Sequence, residues 1–261
     1  MKYKFCTATD PGLVRGNNED AAAIDEENGL AILADGMGGY NAGEVASGMA
    51  AKLIGKEMGD WLMQTGPTAS PRETRAALEL CVDRVNQAIL SASLSNSSYA
   101  GMGTTLVVGV FQSGGLLLGH IGDSRCYRMR HGELVQLTKD HSLLQEQIDA
   151  GFMTPQEAEM SPGRNLLTRA LGVEADVALE VKEHLVVPGD LYLMCSDGLT
   201  DMVSVAEIGR IINMPVPLAQ KAQWLVAAAN GHGGRDNITV LLVQVEPAGG
   251  GRGLISRMLR K

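Results

Sequence analysis

Apolar positions along this chain follow two rhythms: short, nearly continuous runs and longer stretches with helical spacing. Phe5–Thr9, Ala21–Asp25 and Leu30–Ala34 read as strands, the last two joined across a Glu-Asn-Gly turn. From about Gly43 to Gln64, Val45, Met49, Leu53, Met58, Trp61 and Leu62 predict a helix that Gly66-Pro67 breaks. Ser70-Pro71 then supplies an N-cap and a first-turn proline for a second helix to about Leu94, with Ser91–Ser98 read as a small-residue loop. Thr104–Phe111, Gly115–Ile121, Ser124–Arg130 and Glu133–Leu137 read as a meander separated by glycine turns. Asp140–Ala150 and Thr154–Glu159 read as short helices, and Gly151–Gly172 is irregular enough to form a flap. Strands at Ala178–Glu183 and Asp190–Cys195, helices at Val205–Ile212 and Leu218–Asn230, and a strand at Ile238–Val245 follow.

Strands in two batches with paired helices between them predict an α+β fold, a sandwich of two antiparallel sheets flanked by pairs of helices (αββα), with a flap subdomain. There is no internal repeat and no linker, so residues 1–247 read as one domain. Residues 248–261 read as a glycine hinge and a basic tail, either a frayed end or a docking segment for an acidic partner or membrane surface.

An apolar fraction of 45% and a charged fraction of 20% are those of a globular protein with a real core. The net charge of −8 argues against a nucleic-acid surface, which needs clustered Lys and Arg. Cys6, Cys81, Cys126 and Cys195 lie far apart without CxxC spacing, as free thiols of a reducing compartment do. The N-terminus has no apolar signal core, and no run reaches the roughly 18 apolar residues of a membrane span. A cytoplasmic protein is expected, and a monomer.

The candidate chemistry sits at the edges of the strand-like runs. Four acidic clusters lie there: Arg15–Asp20, Asp35–Gly39, Ser196–Gly198 and Arg235–Asn237. No histidine or cysteine group accompanies them, and oxygen-only donors suit hard divalent cations such as Mg²⁺ or Mn²⁺. An Asp-Gly step alone is usually a turn. Asp35-Gly36 and Asp197-Gly198 both end buried-type strands, while Asp20 and Asp236 abut strands from the other side. A cation is the simplest explanation of such acids if they converge, which spacing alone does not show. Arg15, beside the first cluster, is a natural phosphate fork, and metal-assisted phosphate hydrolysis is the resulting reading.

These clusters, with Gly43–Ser47, Gly101–Thr105, Gly122–Arg125, Leu137–Ser142, Leu167–Gly172, Ser196–Asp201 and Asp236–Thr239 in the same order, resemble the metal-dependent serine/threonine protein phosphatases (the PPM, or type 2C, family) in their compact bacterial form. The resemblance runs from about residue 5 to 245. It implies the αββα fold and two ions, Mn²⁺ or Mg²⁺, bridged by Asp35, with the Gly36 carbonyl on one of them. Asp197 and Asp236 would complete the other shell, and Glu19 and Asp20 would hold the cluster directly or through water. Arg15 would bind the substrate phosphate, and a metal-activated water would attack phosphorus without a phosphoenzyme. Asp123 either helps Asp197 hold a third ion or is a turn acid paired with Arg125. The implied partners are phosphorylated proteins and a cognate Ser/Thr kinase.

Two positions depart from the pattern. Met37 stands where some members carry a histidine able to protonate the leaving alkoxide, and Tyr40 stands where bacterial relatives often have histidine. In the flap, Ser161–Asn165 keeps an Arg-Asn pair but lacks the histidine often preceding its proline. His120 precedes the Gly122-Asp123 turn, His131, His184 and His232 read as turn or surface residues, all four structural, and His141 reads as part of a helix start that Asp140 or Ser142 caps. Two rivals are a phosphoprotein-binding relative without turnover and a regulator-type phosphatase acting on a stress or sporulation switch. The retained acids oppose the first, and Arg15 with Gly122–Arg125 the second.

Overall fold

The computed structural model describes residues 1–39, 42–66, 69–112, 114–154, 157 and 166–248. The chain runs β1 (Lys2–Asp10), β2 (Asp20–Asp25), β3 (Leu30–Met37), α1 (Ala42–Thr65), α2 (Pro71–Ser95), β4 (Gly103–Thr104), β5 (Leu106–Gln112), β6 (Gly115–Ile121), β7 (Arg125–Arg130) and β8 (Glu133–Gln136). It continues through α3 (Leu143–Asp149), β9 (Glu180–Leu185), β10 (Leu191–Cys195), α4 (Asp197–Thr200), α5 (Val205–Asn213), α6 (Leu218–Gly231) and β11 (Ile238–Glu246). One sheet has the order β1-β11-β10-β7-β8, and the other β2-β3-β5-β6-β9 with β4 on β3.

Period-2 alternation within the apolar strands builds the layers. From β3, Leu30 and Ile32 pack under α1 and α2, while Ala31 and Leu33 face the opposite sheet. From β11, Val240 and Leu242 pack under α5 and α6, while Leu241 and Val243 join the inter-sheet core beside Phe111 and Tyr192. Both faces of these strands are buried, which is why they read as unbroken apolar runs. Leu33 is fully buried in the inter-sheet core, and truncating it to alanine would cost about 2–5 kcal/mol. The same alternation separates two thiols. Cys126 points into the sandwich and Cys195 toward the helices from the neighbouring strand, and all four cysteines are free.

The structure corrects several boundaries. The four strands after residue 103 are not one meander, because β5 and β6 pair in one sheet and β7 and β8 in the other. The chain crosses between sheets at Gly122–Ser124, with Gly122 at φ +100°. Helix α2 continues through the expected loop to Ser95, where Asn96 takes an extended conformation and ends it. Helix α3 starts at Leu143 rather than Asp140, because Ser142 is the cap and accepts from the Gln145 amide. Asp140 instead receives the Arg125 guanidinium at 2.6 Å. Tyr40, Pro67, the Thr154–Glu159 helix apart from Thr154 and Glu157, the Ser161–Asn165 turn and the tail from 249 lie outside the described residues.

Candidate metal centre

Several segments reach the same rim of the sandwich. Antiparallel register sets Asp20, the first residue of β2, opposite Asp35 near the end of β3. The Asp35 backbone is held on both sides: its N–H donates to Thr105 Oγ1 at 3.0 Å, and its carbonyl accepts from Thr104 Oγ1 at 2.8 Å. Gly36 is pressed between two other backbones. A Cβ there would lie 2.1 Å from the Gly43 carbonyl oxygen and 2.5 Å from that of Glu19, so only glycine fits. Across the rim, Asp197 opens α4, and a Cβ on Gly198 would lie 2.0 Å from the Asn237 carbonyl oxygen. Both Asp-Gly steps are therefore places where backbones meet, and neither is a free turn.

Asn237 ties the Arg15 loop to this rim. Its Oδ1 accepts from the Glu19 amide at 2.7 Å, and its Nδ2 donates to the carbonyls of Pro11 at 2.9 Å and Asn17 at 2.8 Å. Arg15 lies at the surface, with Nη2 2.6 Å from Asp236 Oδ2. Ser196 Oγ is 2.8 Å from Asp20 Oδ2 and accepts from the Thr239 amide at 2.9 Å. Sequence reasoning gave Asn237 and Ser196 no role. Their only signal was a polar residue next to an acid at a strand edge, and what they do depends on segments far away in the chain.

The result is a cleft of about 190 Å³ lined by Arg15, Glu19, Asp35, Gly36, Asp123, Asp197 and Asp236, with Met37, Thr105 and Leu167 on its walls. Asp20 lies beside Asp35 but outside this lining. Burial holds the Asp35 carboxyl well above the usual carboxylate range, with Asp20, Asp197, Asp123 and Asp236 adding to it. Burial also holds Asp197 well above that range, with Asp123, Asp201 and Asp236 behind it. Asp20 is pushed up to about 6 by burial, against the hydrogen bonds it receives, and Asp123 to about 6 by burial and then by Asp140. Asp123 is not bonded to Arg125, whose guanidinium makes its hydrogen bonds with Asp140 and Tyr127.

The donor set fits hard divalent cations. Its members are carboxylates and carbonyls, and the buried Asp20 Oδ1 has no hydrogen-bond donor among the described residues. Carboxylates gathered at one rim, four of them raising the Asp35 carboxyl further, favour a positive charge in their midst. No helix among the described residues is long and apolar enough to cross a membrane.

A four-layer αββα sandwich carrying an acidic rim cleft with one arginine is a scaffold for cation-dependent phosphate chemistry. Residues 15–225 match the family model described as Protein phosphatase 2C. The chain is 39% identical over 242 residues to the serine/threonine phosphatase stp of Listeria monocytogenes serotype 4b, covering 90% of this chain and 93% of that one. It resembles the crystal structure of the Mycobacterium tuberculosis serine/threonine phosphatase PstP/Ppp with a TM-score of 0.85 and 38% identity, over 95% of this chain and 100% of that one. A structure of the PstP catalytic domain in complex with two manganese ions is similar with a TM-score of 0.80 and 37% identity, over 94% of this chain and 99% of that one. The chain belongs to the protein phosphatase 2C family, whose members are metal-dependent hydrolases.

Proposed function

We propose that this protein removes phosphate from phosphoserine and phosphothreonine in proteins, using two Mn²⁺ or Mg²⁺ ions held in the rim cleft. The observation that carries the reading is the convergence of Asp35, Asp123, Asp197 and Asp236 with Arg15 on one cleft. Asp35 and the Gly36 carbonyl, together with Asp197 and Asp236, would hold the two ions, and Glu19 and Asp20 would support them. Bound divalent cations supply Lewis acidity toward the phosphoryl group and make water a better nucleophile.

The protein's own residues do the rest. The Arg15 fork receives the phosphate oxygens, and its ion pair with Asp236 keeps it at the cleft mouth before substrate arrives. Thr104 and Thr105 fix the Asp35 backbone so that its carboxylate does not swing. Met37 and Leu167 give the cleft an apolar side, and Met37 has no proton to give. The proton for the leaving alkoxide would come from water rather than from this side chain. Asp123 with Asp197 would hold a third, weaker ion.

The phosphatase unit is assigned to residues 1–247 and the glycine-rich, basic segment to 248–261. In this reading the enzyme is a cytoplasmic monomer that opposes a Ser/Thr kinase. Turnover of p-nitrophenyl phosphate and of a phosphothreonine peptide, with Mn²⁺ and then with excess EDTA, tests it. Activity should require the metal, and a chain inert toward both substrates at saturating Mn²⁺ would refute it.

A further inference from the structure

His141 lies outside the cleft lining, and the scheme above gives it no task. It is 7% exposed and holds both backbone polar groups of Gly122, the residue before Asp123. The His141 amide donates to the Gly122 carbonyl at 2.8 Å, and the Gly122 amide donates to His141 Nδ1 at 3.1 Å. Gly122 has φ +100°, and a Cβ on it would meet Thr105 at 2.7 Å. That conformation is open only to glycine, so nothing in the residue itself sets the aim of the carboxylate that follows.

The other side of His141 is fixed as well. With Nδ1 accepting a hydrogen bond, the neutral ring carries its proton on Nε2, which faces Glu180 Oε2 at 3.2 Å. His120 packs against the ring with centroids 4.7 Å apart and planes tilted 33°. Neither His120 nitrogen has a partner among the described residues. The trio resembles a metal site in composition. Its candidate ligand atoms lie within 4.8 Å of one another, but both His141 nitrogens already have partners, the Gly122 amide and Glu180, so His141 is a link in a hydrogen-bond chain. The His141 carbonyl also accepts from the Thr168 amide at 2.9 Å, and Ser142 pairs with Leu167 on the cleft wall.

We propose that His141 is a positioning residue for the reaction: oriented by Glu180, its ring sets the Gly122–Asp123 turn and so the aim of the Asp123 carboxylate. The inference rests on the reading of the cleft as the phosphatase site and of Asp123 as a ligand within it. The chain Glu180–His141–Gly122 follows the general pattern in which groups behind the ligands orient them, where single changes cost about 10–100-fold in affinity or activity.

The test is a double-mutant cycle between His141→Ala and Asp123→Ala, read as kcat per folded molecule on a phosphothreonine peptide across a Mn²⁺ titration, with Tm measured in parallel. His141→Ala should lower kcat about 10–100-fold and shift the Mn²⁺ dependence. In the Asp123→Ala background it should cost little more, because its target is already gone. His141→Asn places an amide oxygen close to where Nδ1 sits and should recover most of the loss, whereas His141→Gln should not. Full, independent losses in the cycle, or His141→Asn as impaired as His141→Ala, would overturn the inference. If Asp123→Ala loses rate while His141→Ala does not, the inference alone fails. If Asp123→Ala keeps the wild-type kcat and metal dependence, the ligand reading of Asp123 fails and this inference falls with it.

Discussion

Asp20 and Asp35 stand directly opposite each other across the β2–β3 ladder, half-buried at the rim, and Asp20 receives the Ser196 hydroxyl at 2.8 Å. Burial and the neighbouring acids hold both carboxyls above the usual carboxylate range, and Asp20 Oδ1 has no hydrogen-bond donor among the described residues. Ionising both carboxyls together costs free energy that a nearby cation would offset.

Asp20→Asn should accordingly separate fold stability from metal response. Without metal its Tm should rise by about 2–4 °C, the shift expected for about 1 kcal/mol in a domain of this size. Wild-type protein at Mn²⁺ about 100-fold above Kd should gain about 2.7 kcal/mol, and the variant clearly less. Differential scanning fluorimetry in EDTA and in Mn²⁺ reads both terms. A lower metal-free Tm combined with an undiminished Mn²⁺ shift would contradict this account.

Arg15→Ala should leave metal binding intact and raise KM for phosphosubstrates about 10-fold or more, as loss of a charge-assisted contact of about 1.5–3 kcal/mol requires. Its ion pair is with Asp236, so removing it also frees that carboxylate, and Mn²⁺ affinity should hold or tighten slightly. Calorimetry showing that the variant no longer binds Mn²⁺ would undo the division of roles.

Asn237→Ala removes three hydrogen bonds that tie the loop carrying Arg15 and Glu19 to the rim. At about 0.5–1.5 kcal/mol each, the loss should total about 2–4 kcal/mol in urea unfolding, with kcat/KM falling further than the folded fraction. A variant with normal kcat/KM per folded molecule would show that the loop needs no such tether.

A fourth prediction concerns pH and a site away from the cleft. Asp190 is fully buried, and Arg130 meets it with two hydrogen bonds of 2.7 Å. Burial pushes this carboxyl up, but Arg130 and the Val187 amide outweigh it and leave it below the usual range. Its stabilising contribution is thus complete above the ordinary aspartate value of about 4 and is lost as pH falls through the lower folded value. Asp190→Asn should cost about 3 kcal/mol at neutral pH, since it leaves Arg130 without its counter-charge, and the gap to wild type should close below about pH 4. Thermal melts between pH 2 and 7 check this, and a gap that persists unchanged into acid would exclude the ion pair as its source.

The layers and the acids were legible because both are local. Leu30–Ala34 and Val240–Val243 are apolar at every position, as strands buried on two faces are, and the Asp-Gly steps sit at the strand ends. Sheet membership was not legible. Alternation tells a strand which residues share a face but not which partner it joins, so the crossover at Gly122–Ser124 read as one more hairpin turn. Asp140 looked like a helix cap because its real partner, Arg125, is fifteen residues back at the start of β7. Asp197–Thr200 was hidden because an Asp-Gly pair signals a turn more strongly than a four-residue helix does.

The central claim is that the rim carboxylates work by holding cations. Calorimetric Mn²⁺ titration of wild type, Asp35→Asn and Asp197→Asn, run beside phosphothreonine-peptide turnover on the same samples, tests it most directly. Wild-type turnover should rise with Mn²⁺ occupancy and vanish in excess EDTA, and both variants should lose metal binding and nearly all rate together. Turnover that persists in EDTA, or an Asp35→Asn enzyme that works at the wild-type rate, would contradict it.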